Sequence, residues 1–216
     1  SRTIFRLIIN ITKRDIYMFS MHPDRKNVKF HSLYAHGYTS VEEENLRTIA
    51  RAVLNGYVTS PCVWEKGIRK SINWLFADYL VLDYDDPAMS LDEACDYYKD
   101  YTHFIGTTKS HQKVKGGKKC DRYRIWVKLD KRCKDPKQYT YNTKLWAKKT
   151  AADCQAIDNA RKFLPCSKIV QGNMEGKTIK VVTLPKPTPI KPLPSTLETN
   201  RYIPMWAKVV LQSGCA

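Results

Sequence analysis

The stretch "FADYLVLDYDDP", Phe76 to Pro87, carries the first chemistry in the chain. An apolar run that reads as a buried strand ends in three aspartates within four positions. Strand side chains alternate, so Asp83 and Asp85 point to one face and Tyr84 and Asp86 to the other. Two carboxylates one strand repeat apart do not both ionise cheaply without a cation between them. A divalent ion such as Mg²⁺ or Mn²⁺ resolves that and keeps coordination places for phosphate oxygens. Asp86-Pro87 has the composition of a turn, so Asp86 is assigned to structure.

Phosphate ligands must then come from neighbouring segments. "TTKSH" places Lys109, Ser110 and His111 at the end of a short strand. "RYRIWVKLD" alternates cleanly: Tyr123, Ile125, Val127 and Leu129 on one face, Arg122, Arg124, Trp126 and Lys128 on the other. If the acids share that second face, Arg124 is placed to hold a triphosphate. The candidates for a third carboxylate are Asp130, Asp153 and Asp158. Asp158 is followed three residues later by Arg161, and an acid and a base at that spacing can ligate a metal and touch phosphate together. A Ser–His nucleophile is disfavoured, because adjacent residues rarely form the required hydrogen bond and no GxSxG motif is present.

These residues need a sheet. Alternation predicts strands within residues 2–38, with turns at Lys13–Asp15 and His22–Asp24. "SVEEENLRTIARAVLNG" reads as a helix capped by Ser40 with Glu43 as its capping box and ended by Gly56. "SPCVWEKGIRKSINW" reads as a loop. A strand at Tyr79–Asp85 follows, then a helix capped by Ser90 and Glu93, then the "THFIGTT" strand. A basic hairpin loop "QKVKGGKKCD" leads to the "RYRIWVKLD" strand, a helix from Asp135-Pro136 to about Ala152, and a last pair "KIVQGN" and "TIKVVTL". From residue 78 the order is strand, helix, strand, strand, helix, strand. That is an α+β chain with a ferredoxin-like, RNA-recognition-like sheet carrying helices on one face. Residues 1–75 would form an N-terminal α/β lobe and 76–184 the core. Residues 185–216, with five prolines in "PKPTPIKPLPSTLE", would form an extended strap or linker ending in a short helix near Pro204–Gln212.

With 37 lysines and arginines against 21 acids, the net charge of +16 calls for a polyanionic partner, and nucleic acid leads. No run of about 18 apolar residues suggests a membrane span. The opening lacks the cleavage pattern of a signal peptide. Seven cysteines, none in a CxxC pair, argue against structural zinc and fit a reducing cytoplasm.

"LVLDYDD", "TTKSH", "RYRIWVKLD" and "IDNARKF" together resemble, in order and spacing, the motifs of the archaeo-eukaryotic primase superfamily. The resemblance is greatest to the primase-polymerase type of phages and plasmids. "GYVTSPCVWEKGIRKS" resembles the segment ahead of the first motif, with Arg69 in its basic position. The resemblance spans about residues 55–170. One departure is that Lys109, Ser110 and His111 are consecutive, whereas the family separates serine and histidine by one residue.

It implies template-directed nucleotidyl transfer with two divalent ions held by Asp83, Asp85 and Asp158. His111 with Ser110, and then Lys109, Arg124 and Arg161, would bind the incoming NTP or dNTP. Single-stranded DNA template would follow Arg69, Arg122, Trp126 and Lys128 and the Lys115 and Lys118 loop, and a helicase domain or protein would be a partner. Two other readings use the same residues: a non-catalytic single-strand-binding module of the same fold, and a metal-dependent nuclease.

Overall fold

A computed structural model describes residues 16–24, 35–43, 46–85 and 88–185. The strands expected within 2–12 and 27–34, the Asp86-Pro87 turn and everything after 185 lie outside the described residues.

The core is a five-stranded antiparallel sheet in the order β10-β6-β9-β5-β4. Its members are β4 (Cys62–Trp64), β5 (Trp74–Asp85), β6 (His103–Thr108), β9 (Arg122–Cys133) and β10 (Cys166–Asn173). A second, three-stranded sheet joins β1 (Tyr17–His22), β2 (Thr39–Glu43) and β3 (Val58–Ser60) in the order β2-β1-β3. A small ribbon of β7 (Val114–Lys115) and β8 (Lys118–Lys119) turns through Gly116 and Gly117, both at positive φ. The helices are α1 (Arg47–Leu54), α2 (Leu91–Tyr98) and α3 (Pro136–Thr150).

β5 and β9 are twelve residues each and pair along most of their length. Their alternation splits the core in two. Leu80, Leu82, Tyr84, Tyr123, Ile125 and Val127 pack against α2 and α3. Tyr79, Val81 and Trp126 point the other way and pack with Phe104, Phe163, Phe19 and the α1 residues Ile49 and Val53. Apolar burial on both faces is what makes Tyr79–Leu82 of β5 and Ile125–Val127 of β9 continuous hydrophobic runs until the site is reached.

The two cap signals around α2 and α3 appear as the spacing predicts. Ser90 and Glu93 form the reciprocal capping box, and the Asp135 side chain accepts from Lys137 N at 2.8 Å. α1 differs. Residues 39–43 pair with β1 as a strand, and the helix begins only at Arg47. Glu43 is a helix cap of another kind: its carboxylate, 1% exposed, accepts from Ile49 N at 2.8 Å. The segment expected as a loop supplies β4, with β3 just ahead of it, and "TIKVVTL" adds only an isolated parallel bridge from Ile179 to Leu129.

The sheet order also departs from the ferredoxin-like expectation, in which the last strand lies beside the first strand of the core. Here β10 pairs with β6. The free edge of β5 is filled by β4, which comes from the segment read as a loop. The two crossovers remain split: β9 lies between β5 and β6, and β6 lies between β9 and β10. Among the described residues no helix is long and apolar enough to cross a membrane.

Candidate active site

Antiparallel register sets the two acids at the end of β5 each opposite an arginine of β9. Asp83 pairs with Arg124 and Asp85 with Arg122. Opposite charges directly across a ladder are the favourable cross-strand arrangement. Arg124 Nε donates to Asp83 Oδ1 at 2.8 Å and its Nη1 to the Leu164 carbonyl at 2.6 Å, with the guanidinium 5.5 Å from the Phe163 ring. Both partners are largely shielded, with side chains 15% and 12% exposed for Asp83 and Arg124.

The third residue of this row is Gly106, opposite Arg124 on β6. A Cβ there would lie 2.6 Å from Cys166 Sγ, so the close approach of β10 requires glycine. Burial pushes the Cys166 thiol up to about 11, with Arg124 pulling it down and Asp83 adding to the rise. Cys62 is pushed up to about 12, again chiefly by burial. Cys154 is exposed. At pH 8 the two buried thiols hold almost no thiolate, which is the nucleophilic form. Iodoacetamide should therefore alkylate Cys154 first and reach Cys62 and Cys166 only on unfolding, read by peptide mass spectrometry. Equal labelling of Cys166 and Cys154 in the folded chain would contradict this packing.

Two cavities meet at Asp83, Arg124 and Leu164. One, of about 230 Å³, is lined by Asp83, Asp85, Lys109, Ser110, Arg122 and Arg124 among others. The other, of about 320 Å³, is lined by Arg69, Asp83, Arg124, Asp158, Arg161 and Lys162 among others. The first alone is below the usual range of ligand pockets, about 300–1,000 Å³, and the two joined fall within it. Six cationic side chains front them (Lys109, Arg122, Arg124, Arg69, Arg161 and Lys162) against three carboxylates, Asp83, Asp85 and Asp158.

Lys162 was not singled out by the sequence reading, although it follows Arg161 directly. Its Nζ is buried, and burial, then the charge of Arg69, lowers its pKa. Arg161 lies 3.6 Å from Asp158 across one turn of connector, and Arg69 Nη1 donates to the Ala160 carbonyl at 2.5 Å.

Other expected residues sit differently. Trp126, read as an open-face stacking platform for DNA, is 0% exposed between Phe104, Tyr79 and Phe163. The alternation showed its face correctly, but that face is covered by α1 and β1. Arg122, read as a DNA contact, is 3% exposed. It bonds Asp85 through Nε and the carbonyls of Ser110 and Lys113 through Nη1, at 2.9 and 2.8 Å. Its role is to hold the 108–113 turn against the sheet.

His111 does not line either cavity. Its Nδ1 lies 3.2 Å from Arg122 N, which donates to it, and 3.9 Å from Asp121 Oδ1. Ser110 does front the cavity, with Oγ 3.1 Å from Thr108 Oγ1. Lys128 caps the Tyr17 ring at 3.6 Å. Lys115 and Lys118 lie on the β7–β8 ribbon. The alternative third acids line neither cavity: Asp130 Oδ1 accepts from Val181 N, and Asp153, whose N donates to the Asp83 carbonyl at 2.8 Å, turns its Oδ1 to Gln155 N.

The donor set fits a hard divalent cation. Asp83 and Asp85 present carboxylate oxygens to one cavity, Asp158 fronts the next, and neither cavity is lined by a thiol or imidazole. Among the described residues no group of three or more His, Cys, Asp or Glu is already clustered for a metal ion. The arginines match the two strand acids instead.

No protein-family model matches the chain. No curated protein matches it either. Among solved structures it is similar to the AEP domain of the cyanophage S-2L primase-polymerase, at 11% identity and a TM-score of 0.38, over 74% of this chain and 77% of that one.

Proposed function

We propose that the chain is a nucleotidyltransferase that makes or extends primers on single-stranded DNA, using the joined cavities to hold a nucleoside triphosphate. One observation carries this reading: a strand pair of carboxylates, Asp83 and Asp85, opens into a pocket whose walls hold a surplus of positive charge. A triphosphate carries enough negative charge to match the surplus, and the carboxylates account for why the pocket is not simply basic. The motif order that resembles the primase superfamily supports the same assignment.

When bound between Asp83 and Asp85, with Asp158 as a third ligand, Mg²⁺ or Mn²⁺ would lower the pKa of the attacking hydroxyl and neutralise the leaving pyrophosphate. The remaining work falls to the chain. Arg124 sits between the two cavities and is the side chain placed to bridge from Asp83 to a phosphate oxygen. Lys162, Arg161 and Arg69 form the wall that would receive the outer phosphates, and Ser110 and Lys109 the opposite lip. Arg122, fixed by the 108–113 turn, keeps that lip in place. Positioning and charge neutralisation then dominate the rate, as in phosphoryl transfer generally.

A second reading has one observation in its favour. Each strand acid already has a guanidinium partner at hydrogen-bond distance, so the two acids are neutralised without a metal ion and the remaining positive charge suits a nucleotide- or strand-binding module without catalysis.

Nucleotide binding is the direct test of the pocket. Calorimetric titration of a nucleoside triphosphate with Mg²⁺ should give an affinity that falls by about tenfold or more when Arg124 and Lys162 are both replaced by alanine, the size expected for loss of charge-assisted hydrogen bonds. Unchanged affinity in a folded double variant would place the nucleotide elsewhere.

A further inference from the structure

A third concavity, a groove of about 630 Å³, lies beside the site and has no role in the chemistry above. Ser71, Ile72, Pro136, Lys137, Tyr141, Lys144 and their neighbours line it. It adjoins the second cavity through the chain itself. Asn159 lines the groove, while Asp158 and Ala160 on either side of it line the cavity. Ser71 Oγ donates to Asn159 Oδ1 at 2.7 Å, closing the seam between them.

Two features of the groove are costly for the folded chain alone. Ile72 is 90% exposed at the tip of a 3₁₀ turn, which leaves an apolar side chain in water. Lys137 lies in the first turn of α3, where the helix dipole disfavours a cation. The rest of α3 extends the pattern. Lys137, Tyr141, Lys144 and Lys148 recur at one-turn or two-turn spacing, and no acid occurs between Pro136 and Thr150. Lys144 and Lys148 are thereby about 6 Å apart along the axis. Lysines in the last turn are explained by the dipole, but Lys137 and Lys144 are not.

We infer that this groove is a seat for single-stranded nucleic acid, with phosphates along Lys137 and Lys144 and a base packed on Ile72 and Tyr141. An apolar side chain and an aromatic between cations, with no acid on the helix, is the composition that sequence-tolerant strand binding uses. A duplex would offer no unstacked base to Ile72. The inference extends the proposed nucleotidyl transfer, because a strand seated here would run directly into the Asp158 side of the site.

Fluorescence anisotropy of a labelled oligo-dT against the full chain tests it at several salt concentrations. Lys137→Glu with Lys144→Glu should weaken binding by about tenfold or more and flatten the salt dependence by about 1.4 in log–log slope, the loss of two single-strand phosphate contacts. Ile72→Ser should weaken the single strand severalfold with the slope unchanged and leave duplex binding alone. Circular dichroism confirms folding; all three positions are exposed.

Binding within twofold of wild type in both variants would overturn the inference. Equal loss of single strand and duplex, with Ile72→Ser silent, would also overturn it, as a general basic surface. Nucleotide affinity measured in parallel separates the two claims. Groove variants should keep it and the Arg124/Lys162 variant should lose it, whereas wild-type chain that binds oligo-dT through the groove but makes no product would keep the groove and sink the enzyme.

Discussion

Replacing Asp83 by alanine should abolish primer synthesis, with a loss of about 10²–10³ or more in rate, the scale seen when one preorganised electrostatic group is removed from a site. Asp83 lines both cavities and is the partner of Arg124. Its loss removes a cation ligand and frees the guanidinium that should meet the triphosphate. Asp83→Asn separates the two effects: it keeps a hydrogen-bond acceptor for Arg124 Nε but not the charge. Nucleotide binding that survives in Asp83→Asn while synthesis is lost would assign Asp83 to chemistry. A synthesis rate within threefold of wild type in either variant would remove Asp83 from the mechanism.

The second large effect is on stability. Arg122→Ala should cost about 2–4 kcal/mol, because a buried guanidinium and two of its carbonyl partners lose their hydrogen bonds together. Asp85 is less affected, being 43% exposed at its side chain. Arg122→Lys should recover little of the loss, since one ammonium cannot replace a fork that reaches Asp85, Ser110 and Lys113 at once. Urea midpoints measure the cost, and faster amide exchange confined to residues 109–113 would show that the turn had come loose. A cost below about 0.5 kcal/mol would mean that the turn is held by other contacts.

These effects show what the sequence makes legible and what it hides. The period-two pattern of β5 and β9 put Asp83, Asp85, Arg122 and Arg124 on one face, and the antiparallel register then paired them two by two. The capping box of α2 and the Asp135-Pro136 start of α3 were equally readable, because cap chemistry is local. Trp126 shows the limit: alternation says which face a side chain takes, not whether another layer covers that face. Here α1 and β1, distant in sequence, bury it. α1 itself was misplaced because Glu43 acts as an acceptor for Ile49 across six residues, outside the usual capping-box spacing. β3 and β4 were missed because three residues are too few to show a period. The position of β10 beside β6 is a long-range pairing that no local pattern encodes, and it brought Lys162 and Leu164 to the site from a connector.

The account rests most directly on synthesis itself. Wild-type chain would be incubated with single-stranded DNA, labelled nucleotides and Mg²⁺ or Mn²⁺, without and with a supplied primer, beside Asp83→Ala/Asp85→Ala. Labelled product of extended length from wild type and none from the double variant is the expected result. No product from wild type under either condition, with oligonucleotide and nucleotide binding intact in both proteins, would contradict it and leave a binding module in place of an enzyme.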